Sequence, residues 1–137
     1  MILCDTSPLF CLVDVSQPKH LACQTVFNGL NSPLITTWAC FTEAMYLTGH
    51  RGGWLMQQKL IKLLTMGLLR FYDIKIEDYQ RLFALMKKYQ DRPMDFADAT
   101  LVLAAERLKV NRIFTFDSDF FFYLINDRES FDVIMLN

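Results

Sequence analysis

Four acidic residues occupy positions at which carboxylates are unusual, next to apolar segments. Asp5 follows the apolar run "MILC" and Asp117 follows "IFTF". Glu43 lies within "TWACFTEAMYL", and Asp98 lies in the first turns of "MDFADATLVLAAERL". A carboxylate beside apolar side chains is costly to bury unless another group pairs with its charge. The four positions therefore raise the question of which group offsets the negative charge of these carboxylates.

Each acid also has a simpler interpretation when it is taken alone. Asp95, close to Asp98, is placed to cap a helix or to interact favourably with the helix dipole. Glu43 is compatible with an ordinary surface position on its helix, and Asp119 with a helix start or a hydrogen-bond acceptor. Asp5 is compatible with a turn formed by the residues that follow it. The functional hypothesis therefore depends on the four acids meeting in space.

Short apolar segments alternate with helical patterns along the whole chain. We expect strands at residues 1–4, 34–37, 68–72, 112–116 and 131–135. Helices are expected from the cap at Thr6 or Ser7 through residue 13, and at 17–29, 38–47, 54–66, 76–89 and 95–108, with a short helix or turn at 117–124. Gly49 and the Gly52-Gly53 pair separate the helices at 38–47 and 54–66.

This alternation predicts an α/β protein in three α/β/α layers, around a mostly parallel sheet of four to five short strands. Ligands of such sheets bind at the carboxyl ends of the strands. Asp5 and Asp117 fall at that edge. Asp98 begins the helix that leads into the strand before Asp117, and Glu43 lies on the helix that leaves the second strand. The topology thus predicts that the four carboxylates converge.

Converging carboxylates repel one another and have raised pKa values unless cations offset their charge. Mg²⁺ prefers oxygen ligands, binds through a few carboxylates and accepts phosphate oxygens from a substrate. Two such ions about 4 Å apart activate water and stabilise the leaving oxygen of a phosphodiester. No histidine lies at these motifs to act as a general base. The residues therefore predict metal-dependent chemistry on a phosphate ester.

The composition limits the class of protein. A chain of 137 residues with 53% hydrophobic residues suits one domain with a sizeable core. The net charge of −1 lacks the strongly basic balance of many nucleic-acid-binding domains. No apolar run reaches the roughly 18 residues of a membrane span, and no basic segment resembling a signal peptide opens the chain. We expect a cytoplasmic protein whose four cysteines behave as small apolar residues and stay reduced.

The motifs "ILCDTSPL", "DFADATLVLAAERL" and "IFTFDSDF", together with Glu43, resemble the PIN-domain family. The likeness is strongest to the VapC-type toxins of bacterial toxin–antitoxin pairs, and it covers essentially the whole chain in order. The resemblance implies a single PIN-like domain over residues 1–137. It also implies cleavage of RNA with one or two Mg²⁺ or Mn²⁺ ions, a small antitoxin protein as partner, and a homodimer.

The resemblance assigns roles to individual residues. It makes Asp5, Glu43, Asp98 and Asp117 both the catalytic residues and the metal ligands. Supporting roles fall to Thr6 or Ser7 after the first acid, Thr115 before the last, Asp95 and Asp119. Asp95 lies one helical turn from Asp98 and on the same face. Asp98 is preferred as the third acid because the small-residue run "ATLVLAA" follows it.

Two other functions are compatible with parts of this pattern. A PIN-like module that binds RNA or a protein without cutting is one, although it has no need of a complete set of repelling acids. A phosphatase or a phosphotransfer receiver is the other, but a receiver needs a late strand-end lysine that residues 131–137 lack. The candidate cations for binding RNA are unranked: Arg51, Lys59, Lys62 and Arg112.

Overall fold

A computed structural model describes residues 1–134 and 136 of the chain. Seven strands are present: β1 (Ile2–Cys4), β2 (Leu34–Thr36), β3 (Leu69–Phe71), β4 (Arg112–Phe114), β5 (Leu124–Ile125), β6 (Glu129–Ser130) and β7 (Asp132–Ile134). Five α-helices alternate with them: α1 (Thr6–Val13), α2 (His20–Asn28), α3 (Trp38–Thr65), α4 (Tyr79–Lys88) and α5 (Phe96–Leu108). Short 3₁₀ turns occupy Ile76–Asp78 and Ser118–Phe121.

Five strands form one sheet in the order β3-β2-β1-β4-β7, and every neighbouring pair is parallel. The central strand β1 pairs with β2 on one side and β4 on the other. The backbone N–H of Asp5 then donates to the carbonyl of Phe114, 3.0 Å away, which extends the pairing to the carboxyl edge. That hydrogen bond fixes where Asp5 leaves the sheet.

Helices cover both faces of the sheet, and side chains alternate between the two resulting cores. Ile2 and Cys4 pack on the face covered by α1, α2 and α3. Leu3, between them, packs on the opposite face against α4 and α5. The strands are apolar on both faces because neither face meets water. The predicted three-layer α/β/α architecture with a parallel sheet is confirmed.

Several predicted boundaries were wrong. The two helices expected at 38–47 and 54–66 are present as the two parts of α3 on either side of Gly53, as predicted, but the first part continues beyond residue 47 and the second ends at Thr65. Gly53 has φ 65° and ψ −157°, a conformation that is open essentially to glycine alone. The helix expected from residue 17 begins only at His20. The helix expected at 76–89 begins as a 3₁₀ turn, and α4 itself begins at Tyr79.

The end of the chain also differs from its prediction. The strand expected at 112–116 ends at Phe114. A β5–β6 hairpin, which was not predicted, follows the 3₁₀ turn. Its turn contains Asn126 and Asp127 at φ 51° and 62°, where the short polar side chains of Asn and Asp are tolerated better than most. Within the strand expected at 131–135, Asp132–Ile134 is extended, and Met135 lies outside the described residues.

Two expectations from composition can be compared with the described residues. None of their helices is both long enough and apolar enough to cross a membrane. All four cysteines are buried and free of disulfide bonds: Cys4, Cys11, Cys23 and Cys40.

Candidate active site

Three of the four predicted acids meet at the carboxyl edge of the sheet. Asp5 follows β1, Asp98 lies in the first turn of α5, and Asp117 follows β4. One carboxylate oxygen from each lies within 4.8 Å of the other two. Within residues 1–134 and 136, no lysine, arginine or histidine forms an ion pair with any of them. We call these three residues the acidic cluster.

Asp5 is held by two hydrogen bonds from its neighbours. The backbone N–H of Thr6 donates to Oδ1 at 2.7 Å, so Asp5 itself is the N-cap of α1, in place of the expected Thr6 or Ser7. The hydroxyl of Thr115 donates to Oδ2 at 2.8 Å. The same hydroxyl accepts the backbone N–H of Asp117 at 2.9 Å. Thr115, which is completely buried, therefore links two members of the acidic cluster.

Asp98 is oriented by a tyrosine that sequence reasoning missed. The hydroxyl of Tyr123 donates to Asp98 Oδ2 at 2.9 Å, and the Tyr123 side chain is fully buried. Asp95 has a different place: it is exposed and caps α5, accepting the backbone N–H of Asp98 at 2.7 Å. Of the two acids that the sequence left in competition, the structure brings Asp98 into the acidic cluster.

Asp117 and Asp119 connect the acidic cluster to a nearby arginine. Asp117 Oδ1 accepts the backbone N–H of Asp119 at 2.9 Å, which caps the 3₁₀ turn. Asp119 Oδ1 in turn forms an ion pair with Arg92 Nη1 at 2.9 Å. The guanidinium of Arg92 lies over the ring of Phe122, 3.9 Å from its centroid. Asp119 thus faces a cation beside the acidic cluster.

Glu43 does not join the three aspartates. It is exposed on α3, and its Oε2 accepts the hydroxyl hydrogen of Thr6 at 3.2 Å. Thr6 therefore lies between Glu43 and Asp5, touching both. Ser7, the other small polar residue named for this position, is exposed. Three of the four acids converge as predicted. Glu43 does not, because α3 holds it on the far side of Thr6 from Asp5.

The electrostatics of the acidic cluster follow from its burial and its like charges. Burial, with smaller contributions from the charges of Asp117 and Asp95, raises the pKa of Asp5 to about 6 against its hydrogen bonds. Burial and the neighbouring charges of Asp95 and Asp5 raise the pKa of Asp98 to about 8. Without a bound cation Asp98 is therefore mainly protonated at neutral pH, whereas Asp5 ionises only at a higher pH than an ordinary aspartate.

The donor set fits a hard divalent cation. It consists of carboxylate oxygens, which Mg²⁺ and Mn²⁺ prefer. The nearby thiols of Cys4 and Cys40 have raised pKa values because they are buried, so they remain protonated and are poor ligands. His20 is hydrogen-bonded to the Cys11 carbonyl and His50 stacks on Tyr46, both away from the acidic cluster.

The four basic candidates from the sequence lie elsewhere or on open surface. Arg112 begins β4 at the amino edge of the sheet, opposite the acidic cluster, and pairs with Asp132. Arg51 pairs with Asp14, and Lys59 and Lys62 are exposed on α3. Two other cations contact residues beside Asp117: Arg92 pairs with Asp119, and Lys19 lies over the ring of Phe116. The sequence pattern did not single them out because neither belongs to an acidic motif.

Thr115→Val is expected to weaken divalent-cation binding about tenfold to a hundredfold, the usual effect of losing a residue that orients a metal ligand. Valine keeps the shape of threonine but removes the hydroxyl, leaving Asp5 Oδ2 without its donor and the Asp117 N–H without its acceptor. Calorimetry with Mn²⁺ measures the change. Thr25→Val, which removes an exposed hydroxyl on α2, is the matched control. Parental affinity in Thr115→Val would contradict the proposed link between Asp5 and Asp117.

Comparison with known proteins finds that the chain is similar to VapC toxins. No family model matches the chain. A curated relative, Ribonuclease VapC26 of Mycobacterium tuberculosis, is 25% identical over 116 residues, which cover 85% of this chain and 86% of that protein. The crystal structure of Mycobacterium tuberculosis VapC20, described as a Sarcin-Ricin loop cleaving toxin, superposes with a TM-score of 0.79. At 17% identity it covers 87% of this chain and 92% of its own, and it shows that the fold is shared.

Proposed function

We propose that the chain is a VapC-type PIN-domain toxin and that its acidic cluster hydrolyses phosphodiester bonds in RNA. The observation that carries the proposal is the meeting of Asp5, Asp98 and Asp117 within 4.8 Å, with no ion-pairing cation among the described residues. Three carboxylates in that arrangement are unfavourable alone and suit a divalent cation. The activity of the curated relative, a ribonuclease, supports RNA as the substrate.

In this proposal Asp5, Asp98 and Asp117 hold one or two Mg²⁺ or Mn²⁺ ions, with Glu43 reaching the site from its margin through Thr6. A bound divalent cation supplies Lewis-acid chemistry: it lowers the pKa of water and neutralises charge on the phosphate. The oxygen-only donor set supports these ions over softer metals. The choice between Mg²⁺ and Mn²⁺ is open to direct measurement.

In this proposal the residues of the chain orient the carboxylates of the acidic cluster and do not transfer protons. Thr115 and the Thr6 N–H fix both oxygens of Asp5, and Tyr123 fixes one oxygen of Asp98. One carboxylate oxygen from each of Asp5, Asp98 and Asp117 lies within 4.8 Å of the other two. In the hydrolysis a water oxygen forms a new bond to phosphorus, one phosphodiester P–O bond breaks, and the departing oxygen receives a proton. Because the fold already orients the acids, less entropy is lost when the reacting groups are brought together.

The proposal also includes the binding partners of the protein and its location in the cell. A small antitoxin protein would inhibit the toxin by covering the acidic cluster, and an arginine of that protein would offset the carboxylate charge. We also propose that residues 1–137 act as a single domain, that two copies form a homodimer, and that the protein works in the cytoplasm, where RNA is available. The exposed side chains Tyr46, Trp54 and Leu55 on α3 supply apolar surface for a protein contact.

Cleavage of a mixed RNA panel by the purified protein tests the proposal. Products are expected with Mg²⁺ or Mn²⁺ and not with EDTA. Asp132→Asn, which changes an exposed aspartate at the opposite edge of the sheet, should cleave like the parent. Products that persist in EDTA, or that are made equally by Asp5→Asn, would contradict the assignment.

Calorimetry separates the nuclease from a non-catalytic RNA- or protein-binding module. A selective nuclease that leaves every RNA of the panel uncut still binds Mn²⁺ at a site that Asp5→Asn destroys. A module without catalysis binds no Mn²⁺ there. Measuring both proteins under the same conditions therefore decides between the two.

A further inference from the structure

Two cation–aromatic pairs flank the acidic cluster on opposite faces of the sheet. On the side of α2, the ammonium of Lys19 lies 5.0 Å from the ring centroid of Phe116, the residue before Asp117. On the side of α4, the guanidinium of Arg92 lies 3.9 Å from the ring centroid of Phe122. Phe116 directly precedes Asp117, and Arg92 pairs with Asp119, whose backbone N–H donates to Asp117 Oδ1, so both pairs are linked to the acidic cluster through Asp117.

The two pairs belong to different cores. Phe116 packs against the core formed by α1, α2 and α3. Phe122 meets the edge of Tyr89, a member of the core formed by α4 and α5. A strand that crosses the carboxyl edge of the sheet from one face to the other would therefore meet Lys19, then the acidic cluster, then Arg92.

Both cations remain available to a ligand. Lys19 is exposed and has no ion-pair partner in the part of the chain that the structure describes. The Arg92 side chain is 46% exposed and forms an ion pair with Asp119 through Nη1. A guanidinium has five N–H donors, so this bond leaves others free for a phosphate. Phe122 is 51% exposed, which leaves ring surface open to stacking.

Cations beside exposed aromatic rings are the features that bind single-stranded nucleic acid. Basic side chains follow the backbone, and bases stack on aromatic rings or on arginine planes. Paired bases in a duplex are already stacked on one another and are unavailable for such contacts. The negative charge of the acidic cluster alone would repel RNA, so a substrate strand needs cations on both sides of the acidic cluster.

We propose that Lys19 and Arg92 bind the phosphates on either side of the scissile bond of a single-stranded RNA, and that a base stacks on the Arg92–Phe122 pair. The proposal rests on the proposed function, since it places the strand across the same acidic cluster. It adds the residues that contact the strand and the path of the strand across the acidic cluster. It also names Lys19 and Arg92 as the cations that bind RNA, in place of the four basic candidates of the sequence analysis.

The test measures RNA binding separately from cleavage. Fluorescence anisotropy follows a labelled single-stranded RNA of mixed sequence, bound to the full chain carrying Asp5→Asn and Asp117→Asn. These changes stop the proposed cleavage and remove two repelling charges. In this background the affinity is determined over a range of NaCl concentrations. For single strands, each phosphate contact contributes about 0.7 to the slope of log affinity against log salt.

Arg92→Gln and Lys19→Gln are each expected to reduce that slope by about 0.7 and to weaken binding at low salt. Arg112→Gln is the matched control, because Arg112 is 50% exposed and also pairs with an aspartate, but lies at the opposite edge. Arg92→Lys should keep the slope and lose the stacking contribution. Equal slopes for Arg92→Gln and Arg112→Gln would overturn the proposal, as would undetectable binding of single-stranded RNA in the background protein.

Phe122→Leu tests the base contact. It should weaken binding about fivefold or more without changing the salt slope, because stacking is not ionic. Phe83→Leu, at a similarly exposed phenylalanine on α4, should bind like the background. The same RNA annealed to its complement should lose the dependence on Phe122. Parental affinity in Phe122→Leu would overturn the base contact. If the slopes change as expected but the wild-type protein cuts no RNA and binds no Mn²⁺ at the acidic cluster, the binding path stands and the proposed catalysis fails.

Discussion

Replacing Asp5 and Asp117 together by asparagine is expected to reduce RNA cleavage at least about a hundredfold and to leave the chain folded. Loss of the proposed metal ligands removes charge stabilisation worth several kcal/mol in the transition state, and each 1.36 kcal/mol is a factor of ten in rate. The fold should survive because the amide oxygen still accepts the Thr6 N–H. Neutral amides also relieve the repulsion within the acidic cluster. Initial cleavage rates with Mn²⁺ measure the loss.

The single variants make this prediction sharper. Because the acids act as one unit, Asp5→Asn and Asp117→Asn should each be nearly as inactive as the double variant. Circular dichroism and the unfolding midpoint establish that every variant is folded. A double variant that retains more than about a tenth of the parental rate would exclude these residues as metal ligands.

The metal-free protein is expected to lose stability as the pH rises from about 5 to 8. The folded pKa values of Asp5, about 6, and Asp98, about 8, lie above the ordinary aspartate value of 3.8. Between these limits the folded state binds more protons than the unfolded state, so the free energy of unfolding falls with rising pH and levels off above about 8. The total change is on the order of a few kcal/mol.

Urea unfolding in EDTA at pH 5 and pH 8 measures this slope. Asp98→Asn removes the group with the larger shift and should flatten the profile. Saturating Mn²⁺ should restore stability most at pH 8, since the cation binds the ionised carboxylates. Equal stability of the metal-free protein at the two pH values would show that the three carboxylates do not constrain one another as the structure indicates.

The parts of the fold that follow from local pattern were predictable. Short runs such as residues 1–4 and 34–37 are apolar throughout because both faces of a parallel sheet are covered. Such runs identify buried strands without an alignment. The break at Gly53 was predictable because a glycine pair interrupts a helix, whereas the extension of the first helix beyond residue 47 was not, since Gly49 did not end it. The β5–β6 hairpin was missed because its strands are only two residues each and carry no alternating pattern.

The acidic cluster was predictable to the extent that sheet topology alone determines it. Asp5 and Asp117 follow adjacent strands, so their meeting needed only the rule that parallel strands end at one edge. Glu43 required the angle at which α3 leaves the sheet, which the sequence does not contain. Tyr123 was missed for a similar reason: its hydroxyl reaches Asp98 only after the 3₁₀ turn reverses the chain.

The four buried cysteines make local or global unfolding of this chain detectable by chemical modification. Each lies in a different element, with Cys4 in β1, Cys11 in α1, Cys23 in α2 and Cys40 in α3. Burial raises the pKa of all four thiols, so alkylating reagents meet neither an accessible sulfur nor a thiolate in the native state. Modification therefore has to wait for local or global unfolding. The order in which the four thiols react would record which element of the N-terminal region detaches first, without any added label or engineered probe.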